Sequence, residues 1–261
     1  CLGGVYGDYR QNLSSHWSAR QPRHQSPAEQ AALRHHLHLA AREREAEQRA
    51  HWVKNAERNA ALWAASIPAD DAVRSYLAAR GLAQWPVPAC IRQHPGLAYW
   101  HADDNGELHM LGRYPAMLAP IVSGGKLLAI HRTYLGDGCK ADVPTPKKLT
   151  AAAGPLVGAC IPLAAPHGGV LGIAEGIETA AAASLGSGLP VVAAYCANAL
   201  AGFALPRGIE RLVIFADHDP AGQQAAATLA QRATRAGLTS KTLTPSKPGS
   251  DWADVWLEGM Q

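Results

Sequence analysis

Long apolar runs are absent from this 261-residue sequence. No stretch approaches the ~18 consecutive apolar residues that a membrane-spanning helix needs, and no secretory signal is visible. We therefore expect no membrane-spanning segment and no membrane partner. Aromatic residues are also scarce, at 6% of the chain, although 48% of all residues are hydrophobic. Such a composition predicts an aliphatic core in one large domain or two small ones.

Paired cysteines are a second absence. The five cysteines are Cys1, Cys90, Cys139, Cys160 and Cys196, and no two of them form a Cys-x-x-Cys pair. This scatter predicts neither a disulfide framework nor a zinc site, and it is typical of reduced, buried thiols in a cytoplasmic protein. Because the chain begins with Cys1 instead of Met, we interpret it as a fragment of a longer protein.

A strong excess of charge of one sign is also missing. The net charge of +3 makes the chain only mildly basic. Such a balance does not by itself establish nucleic-acid binding, so the distribution of charge along the chain is more informative than its total.

The first quarter of the sequence predicts one long helix. Ser26 and Pro27 are typical of a helix start, and no Gly or Pro interrupts the sequence from there to about residue 65. Trp52, Ala56 and Trp63 mark an apolar stripe on this helix. Its interleaved Arg and Glu residues are typical of a solvated face, and contact with a DNA backbone is the alternative.

The middle of the sequence predicts a short helix followed by a β-rich region. Pro68 ends the long helix, and the short helix after it terminates at Gly81. Two strands are then expected on either side of a tight turn at Gly124 and Gly125. A loop rich in Gly and Lys follows, at residues 136–148.

Strands alternate with helices in the last third of the sequence, which predicts a parallel sheet covered on both faces. The predicted strands are 170–174, 191–194, 212–216 and 240–243, and the predicted helices are 176–185, 197–203 and 221–236. In such sheets the chemistry takes place at the carboxyl ends of the strands.

Acidic residues stand at those strand ends. Glu175 directly follows the first predicted strand of this sheet. Asp217 and Asp219 follow the third, where an extended chain would point both side chains to the same side. Asp251 and Asp254 come after the last strand and a loop. An alternative role as helix caps is open for Asp217 and for Asp251 taken singly, but it does not explain the whole group.

Converging carboxylates need a compensating cation, because they otherwise repel one another and raise one another's pKa. We expect Mg²⁺ (or Mn²⁺), which binds carboxylates together with water and substrate phosphates. Such a site suits phosphoryl transfer, since the metal lowers the pKa of an attacking hydroxyl and neutralises the leaving pyrophosphate. His218 lies between two of the aspartates and is expected to point away from the ion, because neighbours on a strand alternate.

Three motifs in this region carry a family resemblance. Residues 172–180 (GIAEGIETA) resemble the first motif of Toprim domains, and residues 216–222 (ADHDPAG) resemble their DxD motif. Residues 249–254 (GSDWAD) resemble the closing acidic motif of phage and plasmid primases of the Toprim type. The three motifs in this order favour a Toprim domain at about residues 168–258.

Upstream segments resemble DNA primases of the bacterial DnaG type. Residues 76–82 (YLAARGL) are similar to the end of a primase helix, and residues 146–149 (PKKL) are similar to a basic primase segment. The predicted hairpin, from Pro120 to Arg132, resembles the primase hairpin that precedes this segment. These similarities favour a primase over topoisomerases, recombination mediators and Toprim nucleases.

The resemblance implies an α/β fold with a Toprim domain, a Rossmann-like parallel sheet, at residues 166–261. A helical segment at 1–66 and a mixed α+β subdomain with a basic groove at 67–165 would precede it. It also implies a nucleotidyltransferase that copies single-stranded DNA into short RNA primers from NTPs. The expected setting is the replication of a mobile element in the bacterial cytoplasm, with a replicative helicase as a partner through other regions.

The same resemblance implies roles for individual residues. Glu175, Asp217 and Asp219 would be catalytic and would bind the metal ion, and Asp251 and Asp254 would complete the metal site. A basic groove for template or nucleotide phosphates would be lined by Arg113, Arg132, Lys140, Lys147 and Lys148.

One departure from the family and two rival functions stand beside this interpretation. Thr179 occupies the position of an acidic residue of bacterial primases, and helix geometry aims the neighbouring Glu178 elsewhere. The first rival is a Toprim nuclease or nicking enzyme, in which the carboxylates activate water, but the basic hairpin and loop argue against it. The second is a non-catalytic Toprim module that binds DNA, against which the complete acidic set argues.

Overall fold

The structure, a computed structural model, describes residues 3–8, 13–18 and 27–259 of the chain. Contacts divide the chain into two compact units, Cys1–Ala50 and His51–Gln261. The predicted helix cap Ser26 lies outside the described residues. Within the described ranges, no helix is both long and apolar enough to cross a membrane.

The predicted helices and strands occur in the predicted order, and the structure adds further strands in the first 150 residues and one further helix near the end. The helices are α1 (Pro27–Ala64), α2 (Asp71–Ala79), α3 (Ile177–Ser187), α4 (Ala197–Gly202), α5 (Pro220–Arg235) and α6 (Trp252–Glu258). The strands are β1 (Gly3–Asp8), β2 (Leu13–Ser18), β3 (Ile67–Pro68), β4 (Arg92–Ala102), β5 (Leu108–Ser123), β6 (Lys126–Tyr134), β7 (Lys147–Leu149), β8 (Val170–Ala174), β9 (Val191–Ala193), β10 (Arg211–Phe215) and β11 (Thr239–Leu243). In the first unit β1 and β2 pair in antiparallel fashion.

The end of α1 that belongs to the second unit is anchored by a polar side chain. Asn59 is only 2% exposed. Its Nδ2 donates hydrogen bonds to the backbone oxygens of Leu128 (3.2 Å) and Ala151 (3.1 Å). Of the predicted apolar stripe, Trp63 is partly buried but Ala56 is exposed. The apolar pattern of the sequence therefore predicts only part of how this end of α1 packs, because buried hydrogen bonds also hold the helix in place.

An antiparallel sheet with the order β3-β4-β5-β6-β7 fills the middle of the chain. The predicted hairpin is β5 and β6, and its turn uses Gly124 and Gly125 at φ angles of 55° and 75°, which favour glycine. Alternate residues of β5 enter different cores: Met117 packs with α2 and the later strands, and Leu118 packs on the opposite face. The two faces of this sheet therefore have different surroundings.

A four-stranded parallel sheet with the order β11-β10-β8-β9 forms the last third of the chain. Its strands and helices begin and end close to the predicted positions. Side chains from its two faces enter two separate cores, with Ala174 in one and Ile173 in the other. The predicted fold class is confirmed: a parallel α/β part is preceded by a helical and antiparallel part.

Candidate active site

The carboxyl ends of neighbouring parallel strands bring the predicted catalytic residues together. Glu175 follows β8 directly, and Asp217 lies just beyond β10, which pairs with β8. Asp219 caps α5, and its Oδ1 accepts a hydrogen bond from the backbone N–H of Gly222 at 2.7 Å. A Cβ on Gly222 would lie only 2.9 Å from the backbone oxygen of Asp217. Glycine therefore allows α5 to begin against the chain that carries the aspartates.

Asp251 and Asp254 form the capping box that begins α6. Asp251 Oδ1 accepts hydrogen bonds from the backbone N–H groups of Ala253 (2.7 Å) and Asp254 (2.9 Å). In return, Asp254 Oδ2 accepts one from the backbone N–H of Asp251 at 3.1 Å. The capping role considered for Asp251 is therefore real, and this carboxylate also lines the cavity that contains Glu175. Asp254 instead lines a neighbouring cavity.

A cavity of about 200 Å³ collects charged side chains from both sheets. Its charged lining residues are Arg80, Lys140, Lys147, Glu175, Glu178, Asp217 and Asp251. The three basic residues come from the C-cap of α2, from β7 and from the loop before β7, whereas the four acidic residues come from the parallel part. A cavity with both signs of charge suits a ligand that combines a cation with phosphates.

Asp217 is the most strongly perturbed acid of the site. Burial, together with the nearby charges of Glu175 and Asp251, raises the pKa of Asp217 to about 7. Burial and the charge of Asp219 also raise the pKa of Glu175. These shifts follow from carboxylates that crowd one another where water is partly excluded.

A buried oxygen in the site has no hydrogen-bond partner. Asp217 Oδ1 is inaccessible to solvent and is unpaired. An unpaired, buried carboxylate oxygen among other carboxylates fits a divalent cation, which would satisfy it and offset the repulsion. In the described part of the chain, a tight group of potential ligand atoms, within 4.8 Å of one another, occurs at the exposed Asp103, Glu107 and His109. The carboxylates around Asp217 are grouped less tightly than these three residues, as expected for a site where water and phosphates complete the coordination of the metal ion.

Glu178 takes part in the site, although helix geometry predicts that it is aimed elsewhere. It is 5% exposed. Its carboxylate accepts hydrogen bonds from Tyr76 Oη at 2.6 Å and Lys147 Nζ at 3.1 Å. Burial alone would raise the pKa of Glu178, but Lys147 and Tyr76 outweigh it and hold the pKa at about 2. Glu178 is therefore a charged residue that positions a predicted phosphate-binding lysine.

The five predicted basic residues do not lie together. Lys140 and Lys147 line the cavity. Arg132 and Lys148 are register partners on the other face of the sheet. There Arg132 donates to the backbone oxygen of Leu149 (2.7 Å), and Lys148 Nζ lies 4.0 Å from the centre of the Tyr99 ring.

Arg113 is exposed on β5 and donates a hydrogen bond to the backbone oxygen of Gly96 at 3.3 Å. His218 is also turned to a neighbouring loop, since its Nδ1 lies 2.8 Å from the backbone oxygen of Pro245. Neither side chain lines the cavity.

Sequence reasoning missed three cavity residues that the fold brings in, namely Arg80, His131 and Tyr195. Arg80 lies inside the YLAARGL motif, so the sequence contains a signal that could have indicated it. Tyr195 has a φ of 74°, which is uncommon for a residue other than glycine. His131 lies within the hairpin that resembles the primase hairpin, but no pattern in the sequence marks its place in the cavity or the conformation of Tyr195.

Two family models match the chain. One, described as a domain of unknown function (DUF7146), matches residues 53–160, and the other, described as a Toprim domain, matches residues 170–260. No curated protein matches the chain. The cavity thus draws its basic residues from the first matched segment and its acidic residues from the second.

Several solved structures are similar to the chain. A DnaG primase catalytic domain bound to single-stranded DNA is 16% identical, with 82% of this chain and 78% of that chain covered and a TM-score of 0.53. A DnaG catalytic core is 15% identical, with coverages of 72% and 70% and a TM-score of 0.48. The primase fragment of the bacteriophage T7 primase-helicase protein is 16% identical, with coverages of 71% and 65% and a TM-score of 0.42.

The first of these structures has the fold of this chain over most of its length. The family match and the parallel sheet cover the same residues, and the acidic side chains lie where the three sequence motifs predict them. Residues 170–260 of this chain are a Toprim domain.

Proposed function

We propose that the chain is the catalytic core of a DNA primase, which synthesises short RNA primers on single-stranded DNA from NTPs. The observation that carries the proposal is the cavity in which the unpaired Asp217 Oδ1 shares a small volume with Lys140 and Lys147. The likeness of the fold to a primase catalytic domain supports it. A cation and a phosphate chain together would satisfy both groups of charges.

The proposed metal ligands are Glu175, Asp217, Asp219 and Asp251, with Asp254 adding negative charge beside them. Bound Mg²⁺ or Mn²⁺ would lower the pKa of the attacking 3′-hydroxyl and neutralise charge on the phosphates. Glu175, with its raised pKa, is the residue we assign to assist proton transfer.

The basic residues take separate parts in this proposal. Lys140 and Lys147 orient the nucleotide phosphates, since they line the cavity. Arg113, which is exposed, and the half-buried Arg132 and Lys148 contact the template backbone from the antiparallel sheet, because cations outside the cavity can track a single strand without reading its sequence. We assign residues 1–66 to an N-terminal segment, 67–165 to the basic subdomain and 166–261 to the Toprim domain, in a bacterial cytoplasmic protein of mobile-element replication that cooperates with a helicase.

Primer synthesis tests the proposal directly. The protein is incubated with single-stranded DNA of mixed sequence, labelled NTPs, and Mg²⁺ or Mn²⁺. Labelled oligonucleotides are expected from the wild type and from Glu258→Gln, a control because Glu258 is exposed, pairs with Lys247 at 3.3 Å and does not line the cavity. Glu175→Gln and the double variant Asp217→Asn/Asp219→Asn are expected to form no product.

Other outcomes would support the rival functions. Degraded template without labelled product would indicate a Toprim nuclease. DNA binding without either reaction, and without Mn²⁺ binding in a titration, would indicate a non-catalytic module.

A further inference from the structure

Buried polar atoms without hydrogen-bond partners converge on the active-site cavity. Arg80 Nε, His131 Nδ1 and Asp217 Oδ1 are all buried and unpaired, and all three residues line the same cavity. Burial of an unpaired polar atom is unfavourable, so such atoms in one cavity indicate a bound partner. A bound cation would account for the unpaired oxygen of Asp217. The other two atoms are nitrogens, and they need a different partner.

His131, like Arg80, is a member of this group that the proposed function does not yet use. It lies on β6, between β5 and β7, and is 8% exposed. Burial lowers the pKa of His131 to about 4, and Lys147 and Arg132 act in the same direction although Glu178 opposes them. The imidazole is therefore neutral at pH 7 and offers one N–H and one lone pair for hydrogen bonds.

We propose that His131 is a further substrate-binding residue, whose imidazole donates a hydrogen bond to a phosphate group of the incoming nucleoside triphosphate beside Lys147. This inference rests on the proposed function, since it names a contact within the same site. Arg80 takes a companion role, with its unpaired Nε directed to the same anion.

The surroundings of His131 favour a phosphate over other ligands. Arg80, Lys140 and Lys147 supply three cations to the lining beside four carboxylates, so the cavity suits an anion that arrives together with a divalent cation. The volume of about 200 Å³ is below that of pockets that enclose drug-sized molecules, which start at roughly 300 Å³. A phosphate chain therefore fits the cavity better than a complete nucleotide does, and the base and sugar would extend outside it.

Thr133 provides a matched control for His131. It lies two residues further on β6, so its side chain points to the same face of the sheet. It is fully buried, and its Oγ1 is also unpaired, but it does not line the cavity. A role that depends only on burial would be shared by both residues, whereas contact with a ligand would be specific to His131.

The test is the binding of inorganic pyrophosphate with Mg²⁺, measured by titration calorimetry without DNA or NTPs. His131→Leu is expected to weaken pyrophosphate binding roughly tenfold, the usual effect of losing a hydrogen bond to a charged group. Its thermal stability should be unchanged or higher, because a buried unpaired nitrogen is removed. Thr133→Val should keep the wild-type affinity, and His131→Gln, which retains an N–H donor, should bind with intermediate affinity.

Two results would overturn the inference. One is wild-type affinity in His131→Leu and His131→Gln, and the other is the absence of pyrophosphate binding by the wild type. If His131→Leu does not fold, the affinity of His131→Gln decides the matter. Primer synthesis is measured separately, so a protein that binds pyrophosphate through His131 but makes no primers would contradict the proposed reaction and leave the contact standing.

Discussion

The acidic and the basic residues of the active-site cavity reach it in different ways. The acidic residues Glu175 and Asp217 stand at the carboxyl ends of adjacent parallel strands, where the topology alone brings them together. The basic residues Lys140 and Lys147 come from a loop and from a strand of the antiparallel sheet. On that sheet, the face on which a side chain lies determines which groups it contacts. Neighbours in sequence such as Lys147 and Lys148 therefore have different surroundings. Strand ends thus define the acidic part of the site, and strand faces define the basic part.

The largest effect is expected in the acidic part. Asp217→Asn should lower primer synthesis and Mn²⁺ affinity at least ~100-fold, because replacement of residues that merely support metal ligands already costs 10- to 100-fold. The same change should raise the melting temperature of the metal-free protein, since it removes a charge from crowded carboxylates. Titration calorimetry and thermal melts without metal measure the two effects. A loss of stability together with wild-type Mn²⁺ affinity would contradict the assignment.

The second-largest effect is expected for Glu178, which joins the acidic and the basic parts of the site by hydrogen bonds. Glu178→Gln should lower the free energy of unfolding by about 2 kcal/mol at pH 7, because hydrogen bonds to a buried charge are lost. The pKa of Glu178 is depressed to about 2 from an ordinary 4.5, so its contribution is complete above pH 4.5 and is lost as the pH falls towards 2. Urea unfolding of both proteins at several pH values should show curves that converge in acid. A constant difference down to pH 2 would contradict this account.

Variants of the adjacent Lys147 and Lys148 test whether the face of a strand determines the role of a basic residue. Lys147→Ala should reduce primer synthesis roughly tenfold, because Lys147 lines the cavity and holds a charge-assisted hydrogen bond. Lys148→Ala should leave nucleotide binding nearly unchanged and should weaken mainly the binding of single-stranded DNA, in a salt-dependent manner. Steady-state kinetics and DNA-binding titrations separate the two. Equal effects of both changes on nucleotide binding would show that the face of the strand does not decide the role.

The smallest effect is expected for His218, which lies between Asp217 and Asp219 in the sequence but points away from the metal site. His218→Ala should change Mn²⁺ affinity less than about threefold, since the ring nitrogen is engaged with Pro245 and lost neutral hydrogen bonds have modest effects. The neighbouring Asp217 and Asp219 provide the contrast. A loss as large as that of Asp217→Asn would place the imidazole in the metal site.

The predictability of the site from sequence follows the same division. Glu175 and Asp217 could be predicted because each comes just after a short apolar strand, with Asp219 two residues beyond Asp217, and parallel strands have a known functional edge. Glu178 and His131 could not, since their roles depend on contacts with distant segments; Tyr76 and Glu178 are separated by 102 positions. The strand order β11-β10-β8-β9 likewise depends on crossovers that local patterns do not determine.

Helix α1 shows a similar limit of apolar periodicity. Its buried contact uses Asn59, a polar residue that no hydrophobic pattern would select. The position of each helix and strand is thus encoded locally, whereas the polar contacts that join them are encoded in the tertiary structure.

The hydrogen bonds of Glu178 have a consequence for how the molecule unfolds. Tyr76 and Lys147 belong to the segment that matches one family model, and Glu178 belongs to the Toprim domain. Separation of the two segments would break both hydrogen bonds and open a hydrophobic core that residues of both segments form. The segments should therefore melt in a single cooperative transition, and a Toprim fragment that begins near residue 166 would lack both partners of Glu178 and part of its core.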